Sequence, residues 1–235
     1  MFKGKINPNS KTMLKSSKNI LVLAISAFII SCSGAKNETA VTEEPAAEET
    51  TTASSLSDGT YSIDTASSMV KWEATKMTGS HDGSIDLSEG TIMVENGSIT
   101  TGSFSIDLNT ITALDLKDDP ETAGKLEGHL KSGDFFNVEL SPVSTFEITS
   151  VTEGGEGGAT HTITGNLTIK NITNEISFPA TVSTEGSTIK AIGSAVLDRT
   201  KWDMMFHSGL EQWGDKTIKD EFNVTFDITA SKEQA

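Results

Sequence analysis

From Gly59 onward the apolar residues recur at every second position, and this repeat constrains the chain more than any other feature. A period of two puts alternate side chains on opposite faces, so each such run reads as a strand with one buried face. In Met69–Thr75, Val70, Trp72 and Ala74 share one face, while Lys71, Glu73 and Thr75 share the other. Ile85 and Leu87, then Ile92 and Val94, continue the pattern up to Asn96-Gly97, a two-residue hairpin signal because both positions tolerate positive φ. The return run from Ser98 to Leu108 aligns Phe104, Ile106 and Leu108. Further on, Phe146 with Ile148, then Ile163, Leu167 and Ile169, then Ile176, Phe178, Ala180 and Val182 repeat it. Ile189, Ala191, Gly193, Ala195 and Leu197 form a face whose small residues leave space beside it. Phe222, Val224, Phe226 and Ile228 make a last run, so eight or more antiparallel strands are expected. Such strands either close as a barrel or stack as a sandwich, since both bury one face of each strand.

One stretch departs from this period. In Pro120–Phe136, Leu126 and Leu130 lie four apart and share a helical face, leaving Glu121, Lys125, Glu127 and Lys131 for solvent. Ser132-Gly133 is expected to end the helix, with Gly133 in the left-handed conformation. Phe135 and Phe136 follow at once. A single helix in mid-chain suits a barrel that needs a cap, and an eight-stranded barrel is just wide enough for side chains or one small ligand. The two phenylalanines are then candidates for the lid's contact with the interior.

The first 58 residues lack the strand pattern. Lys3, Lys5, Lys11, Lys15 and Lys18 precede the apolar run Ile20–Ile30, with no acid among them, and Met13 offers a second start with a basic head of its own. The run is eleven residues long. That is well short of the roughly 20 needed to span a bilayer, so residues 1–31 read as a signal peptide. Ile29-Ile30-Ser31-Cys32 resembles a bacterial lipobox, and Cys32 is the sole cysteine, which excludes an internal disulfide. Lipidation at Cys32 would make it an anchor, since each buried methylene contributes about 0.8 kcal/mol and several chains hold where one does not. Residues 32–58, rich in Ala, Glu, Thr and Ser, read as the lipidated cysteine and a solvated tether. Ser33 is not an acidic retention residue, which favours the outer membrane. Cleavage removes five lysines and no acid, taking the formal charge from −15 to −20. So acidic a surface argues against nucleic acid, whose phosphates need Lys and Arg.

The inward set Trp72, Phe104, Ile106, Phe146, Ile163, Leu167 and Phe178 forms the candidate pocket, unless these residues simply pack on one another. Asp198–Gly214 concentrates a second group, Trp202, Phe206 and Trp213 with Met204 and Met205, suited to a mouth loop or to a loop folded over the barrel end. Arg199 could meet an anionic head group or pair with Asp198 or Asp203. The histidines His81, His129, His161 and His207 lack metal-ligand spacing. Neither a Gly-x-Ser-x-Gly elbow nor a phosphate loop is present, so no catalytic residue and no cofactor is expected.

Several segments, taken in order, resemble the YceI-like family over residues 59–231. They are Tyr61-Ser62-Ile63-Asp64 with Ser68, Val70 and Trp72; Gly102–Leu108; His129–Phe136; Ser144–Ile148; Thr164–Lys170; and Asp198–Lys201. The resemblance implies an extended, lipocalin-like antiparallel β-barrel enclosing a long-chain isoprenoid or fatty amphiphile, in an exported and often lipid-anchored protein. Where the family pattern often has a histidine after its Tyr-x-Ile-Asp opening, this chain has Ser67, so a head-group preference is not carried over. The expectation is a membrane-anchored carrier of such an amphiphile, on the periplasmic side or the cell surface; a homodimer is left open. The alternative is an envelope stress-response or interaction protein whose barrel is filled by side chains.

Overall fold

The computed structural model describes residues 56–233. The expected signal peptide, Cys32 and nearly all of the tether lie outside those residues. Among the described residues there are nine strands: β1 (Gly59–Ile63), β2 (Met69–Lys76), β3 (Gly79–Glu95), β4 (Ser98–Ala113), β5 (Val143–Glu153), β6 (His161–Ile169), β7 (Ile172–Glu185), β8 (Thr188–Asp198) and β9 (Ile218–Lys232). Helix α1 (Pro120–Lys131) lies between β4 and β5. Every pairing is antiparallel, and the ring β3-β2-β9-β8-β7-β6-β5-β4 closes through β3 and β4. The barrel alternative is therefore the one realised. β1 pairs with β3 and β9 beyond the end of β2, so β1 and β2 occupy one lane of the wall, interrupted by a corner at Asp64–Ser68. At that corner Asp64 accepts hydrogen bonds from the Ser67 hydroxyl at 2.7 Å and backbone at 3.2 Å, which hold its carboxyl below the usual range.

The apolar segments Ile85–Leu87 and Ile92–Val94 belong to one strand of 17 residues. A register shift between Leu87 and Glu89 adds the residue that moves the inward set from odd to even positions. Asn96 and Gly97 both take positive φ, as the hairpin signal requires. The barrel has two unlike ends. Short turns join β3 to β4 and β7 to β8 at what we call the hairpin end. The two long connections, 114–142 with α1 and 199–217, lie at the other, the helix end.

Helix α1 forms where the spacing of Leu126 and Leu130 predicts it. Asp119 caps its first turn, accepting from the Thr122 backbone at 3.2 Å and hydroxyl at 2.7 Å, and Pro120 occupies the position where a missing N–H costs nothing. It ends at Ser132-Gly133 as expected, but by a different conformation. Ser132 caps it in an extended conformation, donating from its hydroxyl to the His129 carbonyl, and the left-handed turn falls at Asn137 instead of Gly133. The Asn137 amide then donates back to Ser132 O at 2.8 Å, so the turn residue is set by where the chain must reverse toward β5. Glu127 is not a free solvent-side residue either: its carboxylate accepts from the Ala113 backbone at 2.9 Å and ties the helix to the end of β4.

Candidate functional site

The inner wall is predominantly apolar, with Ser144, Arg199 and Lys219 the polar residues bordering the cavity space, and it is filled unevenly. At the hairpin end Tyr61, Ile92, Val94, Ile189 and Ala230 are almost wholly buried against one another. Further along the bore, Phe104, Ile106, Phe146, Ile176, Phe222, Val224 and Phe226 point inward but keep part of their surface accessible. They keep it because one side of each borders a cavity.

Two such cavities, of about 120 and 110 Å³, follow each other along the bore and share Val70, Ile106, Leu167, Leu197 and Val224 in their walls. Each greatly exceeds the ~10–15 Å³ that one water needs, and walls so poor in polar partners would not hold ordered water well. The cavity nearer the helix end is bounded by Trp72, Leu130, Phe135, Phe136, Met204 and Phe222. The inner cavity is bounded by Phe104, Phe146, Ile163, Phe178, Ala191 and Phe226. Four aromatic rings form a belt around the inner cavity, with centroids 6.2 Å apart for Phe104–Phe146, 5.5 Å for Phe146–Phe178 and 5.0 Å for Phe178–Phe226.

Nine of the eleven residues expected to line a pocket do line these cavities: Trp72, Phe104, Ile106, Phe135, Phe136, Phe146, Ile163, Leu167 and Phe178. Trp202 and Phe206 stand outside the lining. Trp202 is fully buried beneath the wall, its indole N–H donating to Leu167 O at 3.2 Å, because the turn Arg199–Trp202 folds back onto the barrel. Phe206 packs on His129 and Phe135 with centroids 4.7 and 5.7 Å away, closing the seam between α1 and the 199–217 connection. The lining residues not in the expected set, among them Val70, Leu197, Phe222, Val224 and Phe226, obey the same alternation and were available from it.

Arg199 is the charged side chain best placed to meet a head group, and it is already engaged. It is buried, with donors directed to the carbonyls of Lys219 and Ile218, each at 3.0 Å, and of Met204, and to Asp220 Oδ1 at 3.1 Å. Its acidic partner is thus Asp220 on the neighbouring strand rather than Asp198 or Asp203. Burial lowers its pKa, partly offset by Asp220 and Asp198. Asp198 instead accepts from the Thr200 hydroxyl at 2.6 Å and backbone at 3.0 Å. The guanidinium borders the outer cavity while pinning the start of β9 to the 199–204 turn.

The histidines are held locally: His81 by Asp115 at 2.8 Å, His129 by Asp134 at 3.0 Å, His161 by the Thr160 hydroxyl at 2.8 Å, and His207 by stacking on Phe206. Among the described residues, no three His, Cys, Asp or Glu side chains gather into a group that could hold a metal ion. Ser67 is exposed at the β1–β2 corner and does not border either cavity. What the arrangement offers chemically is largely apolar contact area inside the barrel.

A barrel of this construction has known counterparts. A crystal structure of BcnA from Burkholderia cenocepacia superposes with a TM-score of 0.58 at 22% identity, covering 72% of this chain and 99% of that one. A polyisoprenoid binding domain from Saccharophagus degradans, implicated in plant cell wall breakdown, superposes with a TM-score of 0.53 at 13% identity, covering 74% and 98%. In sequence, a UPF0312 protein of Staphylococcus aureus is 34% identical over 113 residues, which are 44% of this chain and 62% of that protein. A UPF0312 protein of Pseudomonas aeruginosa is 30% identical over 105 residues, 45% of this chain and 47% of that protein. These matches span about half to three-fifths of the relatives' lengths. The YceI-like domain matches residues 61–230, from the first barrel strand to the last, and the chain accordingly belongs to the YceI-like family.

Proposed function

We propose that this protein is a non-enzymatic carrier that sequesters an isoprenoid or other long-chain amphiphile in its barrel, held at the cell envelope by a lipid on Cys32. The single observation that carries the reading is the pair of adjoining apolar cavities bordered by half-accessible aromatic and aliphatic side chains. An apolar tail laid along them is favoured by about 25 cal/mol for each Å² removed from water, so affinity rises with tail length more than with head group. That the Saccharophagus domain of similar fold is a polyisoprenoid binding domain supports the same class of ligand. With Tyr61, Val94, Ile189 and Ala230 packed together at the hairpin end, the tail enters from the helix end, past Leu130, Phe135 and Met204. Arg199, largely committed to carbonyls and to Asp220, favours a ligand whose head is neutral or remains outside.

Native mass spectrometry of the protein purified from its own host tests the reading. A retained long-chain amphiphile is the expected result; an empty protein that takes up neither a prenyl nor an acyl chain refutes it. The anchor is a separate element, motivated by Ile29-Ile30-Ser31-Cys32. Cys32→Ala is expected to move the protein from the membrane to the soluble fraction, and an unchanged distribution would remove the anchor while leaving the carrier intact.

A further inference from the structure

Glycine within a strand normally weakens it, by roughly 0.5–1 kcal/mol relative to alanine. In the described residues five glycines nonetheless lie in strand interiors, Gly83, Gly90, Gly102, Gly165 and Gly193, and all five fall on the inward face. Four of them lie beneath an aromatic ring that borders a cavity. Trp72 is directly opposite Gly83 in the ladder, Phe104 opposite Gly90, and Phe226 opposite Gly193, while Phe146 reaches across to Gly165. A β-carbon placed on these glycines would come within 2.6 Å of the Trp72 ring, 3.2 Å of Phe104, 2.5 Å of Phe226 and 2.5 Å of Phe146. Carbon atoms in van der Waals contact need about 3.5–4.0 Å. The rings therefore lie back over bare backbone, in space that any other residue would fill.

The placement around the barrel is regular. β5, β7 and β9 carry the rings Phe146, Phe178 and Phe226, and the strands between them, β6 and β8, carry Gly165 and Gly193. We infer that these glycines set the bore: by letting the belt rings fold flat against the wall, they keep the inner cavity wide enough for a methyl-branched chain. This rests on the carrier reading and adds to it a selectivity for branched isoprenoid tails over straight acyl tails. A methyl group at Gly193 has no room under Phe226 and displaces that ring toward the lumen. The narrowing acts on a branched chain more than on a straight one. Phe226→Leu, which removes the ring, restores the width.

The test compares geranylgeraniol with hexadecanol, a straight alcohol matching its main chain, each displacing anilinonaphthalene sulfonate from the wild type, Gly193→Ala and the double variant Gly193→Ala/Phe226→Leu. Thermal unfolding is followed alongside, because the new β-carbon also approaches Pro179 O at 2.8 Å. The expected result is a loss of about tenfold for geranylgeraniol in Gly193→Ala, about 1.4 kcal/mol, a loss under about threefold for hexadecanol, and recovery of geranylgeraniol binding in the double variant. Equal weakening of both alcohols, or no weakening, would overturn the inference and leave Gly193 a purely structural residue. If Gly193→Ala does not fold, Gly90→Ala carries the same comparison, with the Ile63 side chain at 2.7 Å, Ser103 O at 3.1 Å and Phe104 at 3.2 Å as its neighbours on that side of the belt. Binding of neither alcohol by the wild type overturns the carrier reading, and this inference with it.

Discussion

The two stretches of the barrel interior are made from the same class of residue and end in opposite states. At the hairpin end Ile189 faces Ala230 across the ladder and Tyr61 faces Ile92; side chains meet there, and Ile189 and Ala230 are 0% exposed. In the belt Phe226 faces Gly193 and Phe104 faces Gly90, so on that side each ring lies over backbone, while its other neighbour is a second ring, Phe178 at 5.0 Å from Phe226 and Phe146 at 6.2 Å from Phe104. Phe104 opposite Phe146, Ala191 opposite Ile228 and Ala195 opposite Val224 also border the inner cavity, so what sets the belt apart from the hairpin end is the glycine that Phe104, Phe146 and Phe226 each have on a neighbouring strand. The difference thus lies in what neighbouring strands set beside each ring and not in any one strand's hydrophobicity.

That contrast can be broken from the solid side first. Ile189→Ala removes three carbons where neighbours cannot relax, so a loss of about 3–5 kcal/mol in urea unfolding is expected, with dye binding in the bore retained. A loss below 1 kcal/mol would mean that the hairpin end is as loose as the belt. Next comes Arg199→Met, which strips donors from the carbonyls of Lys219, Ile218 and Met204 and leaves Asp220 without its partner. Buried acceptors left unpaired cost about 1–3 kcal/mol each, and some reach water on relaxing, so about 3 kcal/mol is expected in the same measurement. Prenyl-alcohol affinity measured under folding conditions should change little. A selective loss of binding with stability intact would instead make Arg199 a head-group contact. On the hollow side, Phe104→Ala removes a ring that is only half buried. Its stability cost should fall to about 1–2 kcal/mol, while affinity for a long-chain alcohol drops about tenfold as contact area is lost.

The inward face of each strand was legible because alternation is a direct consequence of strand geometry, and Trp72, Phe104, Phe146 and Phe178 fall where it puts them. Parity changes hid the rest. Ile85 and Leu87 are odd-numbered, Ile92 and Val94 even-numbered, and without the bulge at Leu87–Glu89 such a change looks like the end of a strand. Arg199 was weighed against acids beside it in sequence, whereas its partner Asp220 comes from β9, across the ladder from β8, where proximity depends on register. Trp202 and Phe206 carry no periodic signal, since they sit in a connection whose path is fixed by Arg199 and by Phe135. The filled and open parts of the bore could not be told apart either. Ile189 and Phe226 obey one alternation rule, and only the pairing of β8 with β9 reveals which of them stands over a glycine.

The smallest effect concerns the connection that closes the helix end. Asp198 is held below the usual carboxylate range chiefly by the Thr200 hydroxyl, then by the Thr200 amide, Lys201 and Arg199, against a desolvation that acts the other way. A carboxyl whose folded pKa is depressed stabilises the fold above its unfolded pKa, near 3.9, and that contribution disappears as pH falls through the lower folded value. Asp198→Asn keeps an oxygen to accept from Thr200 but removes the charge. The variant should be slightly less stable than wild type at neutral pH, and the two urea midpoints should converge once the pH is low enough to protonate the folded carboxyl. Hydrogen exchange should place the loosening at the amides of Asp203 and Met204, which donate to Thr200 O and Arg199 O, and spare the amide of Ile189. A stability gap that stays constant from neutral to acid pH would mean that Asp198 holds the turn by shape alone. The helix end would then share with the hairpin end an indifference to charge.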